Sequence, residues 1–235
     1  MRRLNDVTPA ALHLHLMQVL TFTTGMNDAV GYLGLDRVFT GNMTGNVVIL
    51  GMAMTGVDGL PVAGPALALA GFMVGAMVAG RTLRWVTTGW TLEVTVLLAS
   101  VAAVMLAIAV GLWVRSGELG HWATVAITTS AALVLGAQAA TARHIAVKDI
   151  TTVVVTSTIT GFAADSPLGN GRGGPWVRRL AAIALVGVGA ATGAALLNVA
   201  SALVFLVVGI GIAGVAVIGE IHRRQTAISE ACAAI

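Results

Sequence analysis

An acidic residue interrupts an otherwise apolar stretch near the start of the chain. Asp28 lies toward the end of this stretch, within TGMNDAVGYLG, and Asn27 beside it adds an amide. A carboxylate is costly to insert into hydrocarbon, so it faces the protein interior or a water-filled cavity, or binds a proton. We interpret Asp28 as a proton or cation site or as a contact for a cationic or polar substrate. The alternative is that Asp28 lies at the membrane interface and caps a helix.

Hydrogen-bonding side chains are concentrated in TGNMTGNVV, residues 40–48. The preceding DRVFTGN reads as extended chain, and MTGNVVILGMAM reads as a short helix. Thr40 or Asn42 is suited to cap this helix, because a side-chain oxygen can accept a free backbone N–H. The alternative is that these polar groups only satisfy the broken backbone and one another.

A second polar stretch, TTVVVTSTITGFAA, covers residues 151–164. Its β-branched run TTVVVTS is typical of a strand, and TITGFAA is typical of a short helix. Broken backbone is tolerated in a membrane only where it is buried in protein or lines a cavity. Two half-helix N-termini inside the bundle favour an anion or the carboxylate of a zwitterion.

These observations predict one substrate site shared by both polar stretches. Gln138 enters it because the sequence GAQA, residues 136–139, resembles GMND, residues 25–28. The predicted site comprises Asn27, Asp28, Thr40, Asn42, Thr44, Asn46, Gln138, Thr156, Thr158 and Thr160.

Composition identifies the class of protein that must position these residues. Of the 235 residues, 57% are hydrophobic and only 10% are charged, against about 25% charged in a soluble domain. The mean hydropathy is +0.92. The sequence therefore predicts an integral membrane protein with the lipid bilayer as its partner. The net charge is only +3 and the basic residues are scattered, so we expect no nucleic-acid partner.

Six apolar segments are each long enough to cross about 30 Å of hydrocarbon. They cover roughly residues 12–33, 62–83, 92–114, 122–142, 177–198 and 201–219. Three short motifs recur in the same order at offsets close to half the chain, which indicates an internal duplication. The pairs are 40–45 with 156–161, 25–28 with 136–139, and 71–76 with 189–194.

The positions of Lys and Arg set the predicted orientation. If the two polar stretches do not cross the membrane and the N-terminus is cytoplasmic, eleven Lys and Arg lie inside, with Arg37 and Arg115 outside. If both stretches cross, the split is only eight to five. The positive-inside rule favours six crossings, and three crossings per half make the second repeat inverted.

Several classes of chemistry lack their sequence motifs. There is no Gly-x-Ser-x-Gly, HExxH, P-loop or paired-cysteine site, so we expect no enzyme, no cofactor and no metal. An intramembrane enzyme acting on lipid would need a nucleophile and a base, for which only Asp28 and the hydroxyls are candidates. Cys232 is the single cysteine and excludes an intrachain disulfide.

The segment TGMNDAVGYLGLDRVFTGNMTGNVVILG resembles the signature of the YoaK-like family of multi-pass bacterial membrane proteins. The matching positions are Gly25, Asp28, Ala29, Met43, Thr44, Gly45 and Asn46. The likeness is strong over residues 20–55 and extends in general layout over 10–222. It implies a bacterial plasma-membrane location and supplies no substrate, because the family is grouped under a domain of unknown function.

We therefore predict an all-α polytopic membrane protein with six crossings, arranged as two inverted three-helix repeats, each with a broken segment. Eight spans is the alternative. One membrane domain covers residues 1–222, with repeats at about 12–115 and 121–220, and a cytoplasmic tail covers 223–235. The expected function is transport or permeation of a small polar or anionic solute. A non-transporting scaffold or sensor stays open, as does a homo-oligomer. Both termini are expected in the cytoplasm.

Overall fold

The computed structural model describes residues 8–56, 59–115, 119–145, 155–171 and 174–233. Within these ranges the chain forms helices and no strands. The eight helices are α1 (Pro9–Gly34), α2 (Met43–Ala53), α3 (Ala63–Thr82), α4 (Leu92–Val114), α5 (His121–Ile145), α6 (Val155–Ala164), α7 (Trp176–Leu197) and α8 (Ser201–Ala233).

Five of the described helices are long and apolar enough to cross a membrane, namely α3, α4, α5, α7 and α8. The remaining long helix, α1, has 26 residues, which corresponds to about 39 Å of helix. Its sequence carries many polar residues, and it falls outside this group of five. The chain is therefore a multi-pass membrane protein whose described secondary structure is all helical. The sixth crossing stays a prediction that depends on α1.

The break predicted after the first long helix is present. Thr8 caps α1, and the helix ends at Gly34. Residues 35–42 are not helical, and Arg37 takes a positive φ of 52°. Helix α2 then begins at Met43, where the Asn42 side chain accepts the N–H of Gly45 at 3.2 Å. Of the two predicted caps, Thr40 and Asn42, the structure shows Asn42.

The prediction of extended chain at residues 151–157 is wrong for the part that the structure describes. Helix α6 begins at Val155, so residues 155–157 are helical rather than strand-like. Residues 151–154 lie outside the described residues. β-Branched residues have only a context-dependent strand preference, and a helix satisfies its own backbone groups without help from neighbours. The hydroxyl of Thr160 also bonds to the carbonyl of Thr156 at 3.0 Å.

Helix α8 continues to Ala233, well beyond the apolar segment predicted to end at residue 219. Glu220 pairs with Arg223 at 2.7 Å and with Arg224 at 2.6 Å. Such pairs three and four residues apart support a helix. Residues expected to form a tail therefore extend the last helix.

The long helices pack in pairs. Helix α1 lies against α7, α3 against α5, and α4 against α8, while α2 packs on α3 and α6 on α7. Glycines allow the close approach. A methyl group at Gly75 would collide with the Leu133 carbonyl, and one at Gly189 with the Phe22 carbonyl. The largest fully buried side chains include Met17 and Leu20 of α1 together with residues of α4 and α8.

Candidate functional site

Asp28 joins α1 to the start of α2. Its Oδ1 accepts the backbone N–H of Gly41 at 2.7 Å and that of Asn42 at 3.2 Å. Gly41 has little room, because a methyl group there would lie 2.9 Å from Cγ2 of Thr24 and 3.4 Å from Asp28 Oδ1. The carboxylate therefore lies at the positive end of a helix, where free N–H groups stabilise negative charge. We call this contact the Asp28 junction.

The nonhelical segment is fixed by a second side chain. Asn46, which is fully buried, accepts the Phe39 N–H at 2.9 Å through Oδ1 and donates to the Phe39 carbonyl at 2.6 Å through Nδ2. The Phe39 ring stacks on Tyr32, with centroids 4.9 Å apart. The amide thus satisfies extended backbone that has no strand partner. Asn46 acts here as a structural residue of the break.

The Asp28 junction changes what the α2 N-terminus offers a ligand. The sequence predicts free N–H groups for an anion, but the protein's own carboxylate occupies those of Gly41 and Asn42. A solute anion would have to displace Asp28 or bind when Asp28 is neutral. Helix α1 is continuous through Gly25 and Gly31, although glycine weakens a helix. These glycines allow close contact with Val186 and Val38.

Asn27 and Gln138 are buried polar residues beside the Asp28 junction, which Thr24 also borders. Gln138 of α5 donates through Nε2 to Oγ1 of Thr24 at 3.3 Å. Thr24 and Asn27 are three residues apart on α1, so they occupy adjacent positions on the same side of the helix. We call Thr24, Asn27 and Gln138 the amide centre. It lies in the bundle, where α1 and α5 meet.

The threonines of α6 are not brought to either polar group by a described helix pair, because α6 packs on α7 and α2 packs on α3. Thr158 is buried, whereas Thr156 and Thr160 are exposed. In the first half, Thr40 is buried, whereas Asn42 and Thr44 are exposed. The described helix pairs therefore do not bring the α6 threonines to the predicted residues of α1, α2 and α5, and their convergence on one site stays a prediction.

A cleft of about 370 Å³ opens beside the break. Its lining includes Gly34 and Leu35 at the end of α1, and Leu119, His121 and Thr124 at the start of α5. Asp36 also lines it, 3.8 Å from the His121 ring. No group of three or more His, Cys, Asp or Glu that could bind a metal occurs among the described residues.

Sequence reasoning missed Thr24 and the pairing of Asp36 with His121. The signal for Thr24 was present, because it precedes Asp28 by four residues and therefore shares its side of the helix. The signal for His121 was not present, because its approach to Asp36 depends on how α5 packs beside the end of α1. Helix packing, rather than spacing along the chain, determines that contact.

The fold and these polar groups define a class, the multi-pass helical membrane proteins with interrupted helices. Within it, residues 16–218 match the family described as "Protein of unknown function (DUF1275)", and the chain belongs to that family. It is also similar to "UPF0700 transmembrane protein YoaK" of Bacillus subtilis (strain 168), with 31% identity over 160 residues, covering 68% of this chain and 69% of that protein. The resemblance seen in the sequence is thereby confirmed. No solved structure matches.

Proposed function

We propose that the protein is a transporter or permease for a small polar or anionic solute, with the Asp28 junction in its pathway. The observation that carries the proposal is the bond from Asp28 to the amides of Gly41 and Asn42. An ionisable side chain within a membrane bundle is costly and is typically retained for binding or ion movement. Transporters aim half-helix N-termini at the anionic groups of their substrates, and in this chain the N-terminal end of the short helix α2 faces the Asp28 carboxylate.

The junction suggests how binding and protonation are linked. An anion and the Asp28 carboxylate compete for the same N–H groups. A proton on Asp28 weakens its bonds to these groups and leaves them to the solute. In this proposal Asp28 is the proton-coupling residue, and Thr40, buried beside the Gly41 amide, contributes a hydroxyl. The cleft beside Asp36 provides an approach from the end of α1.

Packing between the halves supports the proposed duplication. If the chain is duplicated, helices α1 to α4 correspond in order to α5 to α8. The packing of α1 on α7 then corresponds to that of α5 on α3, and the packing of α2 on α3 to that of α6 on α7. All four of these contacts occur. The close contacts follow the same exchange, because Gly75 packs on Leu133 as Gly189 packs on Phe22. These contacts make Gly75 the counterpart of Gly189. The alignment of the sequence motifs instead pairs Gly71 with Gly189, so the two alignments of α3 differ by four residues, or about one helical turn.

Six crossings with both termini in the cytoplasm complete the proposal, and they make the second repeat inverted. The support is the distribution of charge, because eleven Lys and Arg then lie on one side. The relative from Bacillus subtilis, described as a transmembrane protein, is consistent with a bacterial plasma membrane. The amphipathic Trp residues agree, since Trp85, Trp113, Trp122 and Trp176 lie at or just beyond helix ends.

A non-transporting scaffold or sensor is the second candidate. It is favoured by the separation of the two polar helices, since α2 packs on α3 and α6 on α7. It is also favoured by the bonds of Asn46 to Phe39, which use the amide within the chain. In that case the junction only holds α2 in place, and no solute competes for its N–H groups.

A ligand screen on the purified protein tests the proposal. Small anions and polar metabolites are added, and the unfolding temperature is measured, because a ligand of the folded state raises it. We expect hits whose effect weakens in Asp28→Asn and Thr40→Val and persists in Glu93→Gln, which alters an acid at the start of α4. Hits that are unchanged in both junction variants would contradict the proposed site.

A further inference from the structure

We propose that the amide centre binds an uncharged solute of the carboxamide or urea class. As a statement about what is transported, this rests on the proposed function; as a binding site, it stands on its own observations. Asn27 and Gln138 have exposed fractions of 0% and 1%. Among the described residues, neither Nδ2 nor Oδ1 of Asn27 finds a hydrogen-bond partner, and neither does Oε1 of Gln138.

Unpartnered amide atoms in this position indicate a ligand rather than a packing role. Leaving a buried donor or acceptor unsatisfied is unfavourable, whereas an apolar side chain of similar size would avoid the penalty. The neighbouring hydroxyls are already engaged. Thr24 donates to the Leu20 carbonyl at 2.8 Å, and Thr141 donates to the Ala137 carbonyl at 2.8 Å. The remaining hydrogen-bonding capacity therefore belongs to the two carboxamides.

The free atoms specify the chemistry of the ligand. Asn27 offers donors through Nδ2 and an acceptor through Oδ1, and Gln138 offers a further acceptor through Oε1. A small molecule that presents both a carbonyl oxygen and N–H groups can pair with all three atoms. Carboxamides and ureas have this combination. The two residues also lie at equivalent places in the two halves of the chain, so each half contributes one amide.

The surroundings disfavour an anion. The ionisable residue next along the chain is Asp28, one turn from Thr24 on α1, and its Oδ1 is bound to the start of α2. The one ionisable side chain among the buried polar residues of the described structure is His222 of α8. An anionic solute would thus enter the amide centre beside a carboxylate, whereas an uncharged carboxamide or urea meets no such repulsion.

Acetamide and acetate are a matched pair of probes, because they have nearly the same shape and differ in charge and in N–H donors. Each is added at increasing millimolar concentration to the purified full-length protein, and the unfolding temperature is measured. We expect acetamide to raise it and acetate not to. Asn27→Leu and Gln138→Leu should each abolish the acetamide effect. An acetamide effect that survives both substitutions, or an equal effect of acetate, overturns the proposal.

A second measurement needs no ligand and compares two buried asparagines, one with side-chain hydrogen bonds in the described structure and one without. Asn46 is bonded to Phe39 through both amide atoms, whereas Asn27 is not bonded within the described chain. We expect Asn46→Leu to lower the unfolding temperature and Asn27→Leu to leave it unchanged or raise it. If Asn27→Leu lowers it as much as Asn46→Leu does, the Asn27 amide already has structural partners and the site is refuted.

Uptake by proteoliposomes separates this inference from the proposed function. Acetamide that binds but does not enter proteoliposomes faster than empty vesicles supports the site and contradicts transport of this solute class. Uptake of acetate or another anion, with no acetamide binding, supports transport and overturns the amide centre as its binding site.

Discussion

At the scale of single residues, the two interpretations of Asp28 describe the same contact. The residue does cap a helix, but the helix is α2 rather than its own. A carboxylate accepting two N–H groups forms charge-assisted bonds, which are stronger than neutral ones. In the proposed function, these bonds make Asp28 the group with which a solute anion competes. Spacing predicts that Asp28 is important, and only the packing of residues 40–42 against α1 shows what it binds.

Replacing Asp28 separates its charge from its hydrogen bonds. In Asp28→Leu both bonds to α2 are lost, and we expect a loss of about 1–3 kcal/mol of unfolding free energy. In Asp28→Asn the Oδ1 can still accept the Gly41 N–H, so the loss should be smaller. Unfolding in detergent micelles, followed by helical circular dichroism, measures both. Equal stability of Asp28→Leu and the wild type would show that the junction does not hold α2.

Asn46 bonds to the nonhelical backbone before α2, so replacing it should lower the stability more than replacing Thr44. We expect Asn46→Ala to cost about 1–3 kcal/mol, because the partly buried N–H and carbonyl of Phe39 lose their partner. Thr44→Ala, on an exposed position of the same helix, should change stability by less than about 0.5 kcal/mol. The same unfolding assay compares them. A Thr44→Ala effect as large as that of Asn46→Ala would contradict the assignment.

At the scale of elements, the short helix α2 could be predicted because its cap is local. Asn42 and the run that follows it carry the signal within one segment. The strand expected at 155–157 failed because β-branched composition does not outweigh the need of buried backbone for internal partners. The length of α8 was underestimated because hydropathy marks where lipid contact ends, not where a helix ends. The ion pairs of Glu220 with Arg223 and Arg224 support the helix beyond the apolar segment.

The glycines of α3 and α7 can be divided into packed and open positions. A methyl group at Gly75 or Gly189 would collide with backbone, whereas none of the described atoms lies within 4 Å of one at Gly80 or Gly187. We expect Gly75→Ala and Gly189→Ala to lower the unfolding temperature. Gly80→Ala and Gly187→Ala should leave it unchanged or stabilise by about 0.5–1 kcal/mol, since alanine is the better helix former. Similar losses in all four variants would refute the close helix contacts.

At the scale of the whole molecule, composition alone identifies a membrane protein, because 10% charged residues cannot cover a soluble surface. The sequence predicts that ten residues converge on one site, but the described helix pairs do not bring the threonines of α6 to the residues of α1, α2 and α5. Periodicity places a residue on a side of its helix, but the partner helix determines what that side contacts. Thus Gln138 reaches Thr24, while Thr156 and Thr160 are exposed on α6.

The number and direction of crossings can be tested with cysteines introduced into a Cys232→Ser background. Six crossings with a cytoplasmic N-terminus place Arg37→Cys and Arg115→Cys outside and Arg84→Cys inside. A membrane-impermeant maleimide added to intact cells should therefore label the first two and spare the third. Eight spans would expose Arg37→Cys and Arg84→Cys and protect Arg115→Cys. Labelling of Arg84→Cys alone would reverse the proposed orientation.

The central claim is that the Asp28 junction takes part in moving a solute across the membrane. Its most direct test is uptake by proteoliposomes of acetate, nitrate, glycine and acetamide, each with and without an imposed pH gradient. We predict uptake of at least one solute above that of empty vesicles, accelerated by the gradient. Asp28→Asn should remain folded and lose the acceleration, and Glu93→Gln should keep it. Uptake that is equal in wild-type and empty vesicles for every solute, or a gradient effect unchanged in Asp28→Asn, would contradict the account.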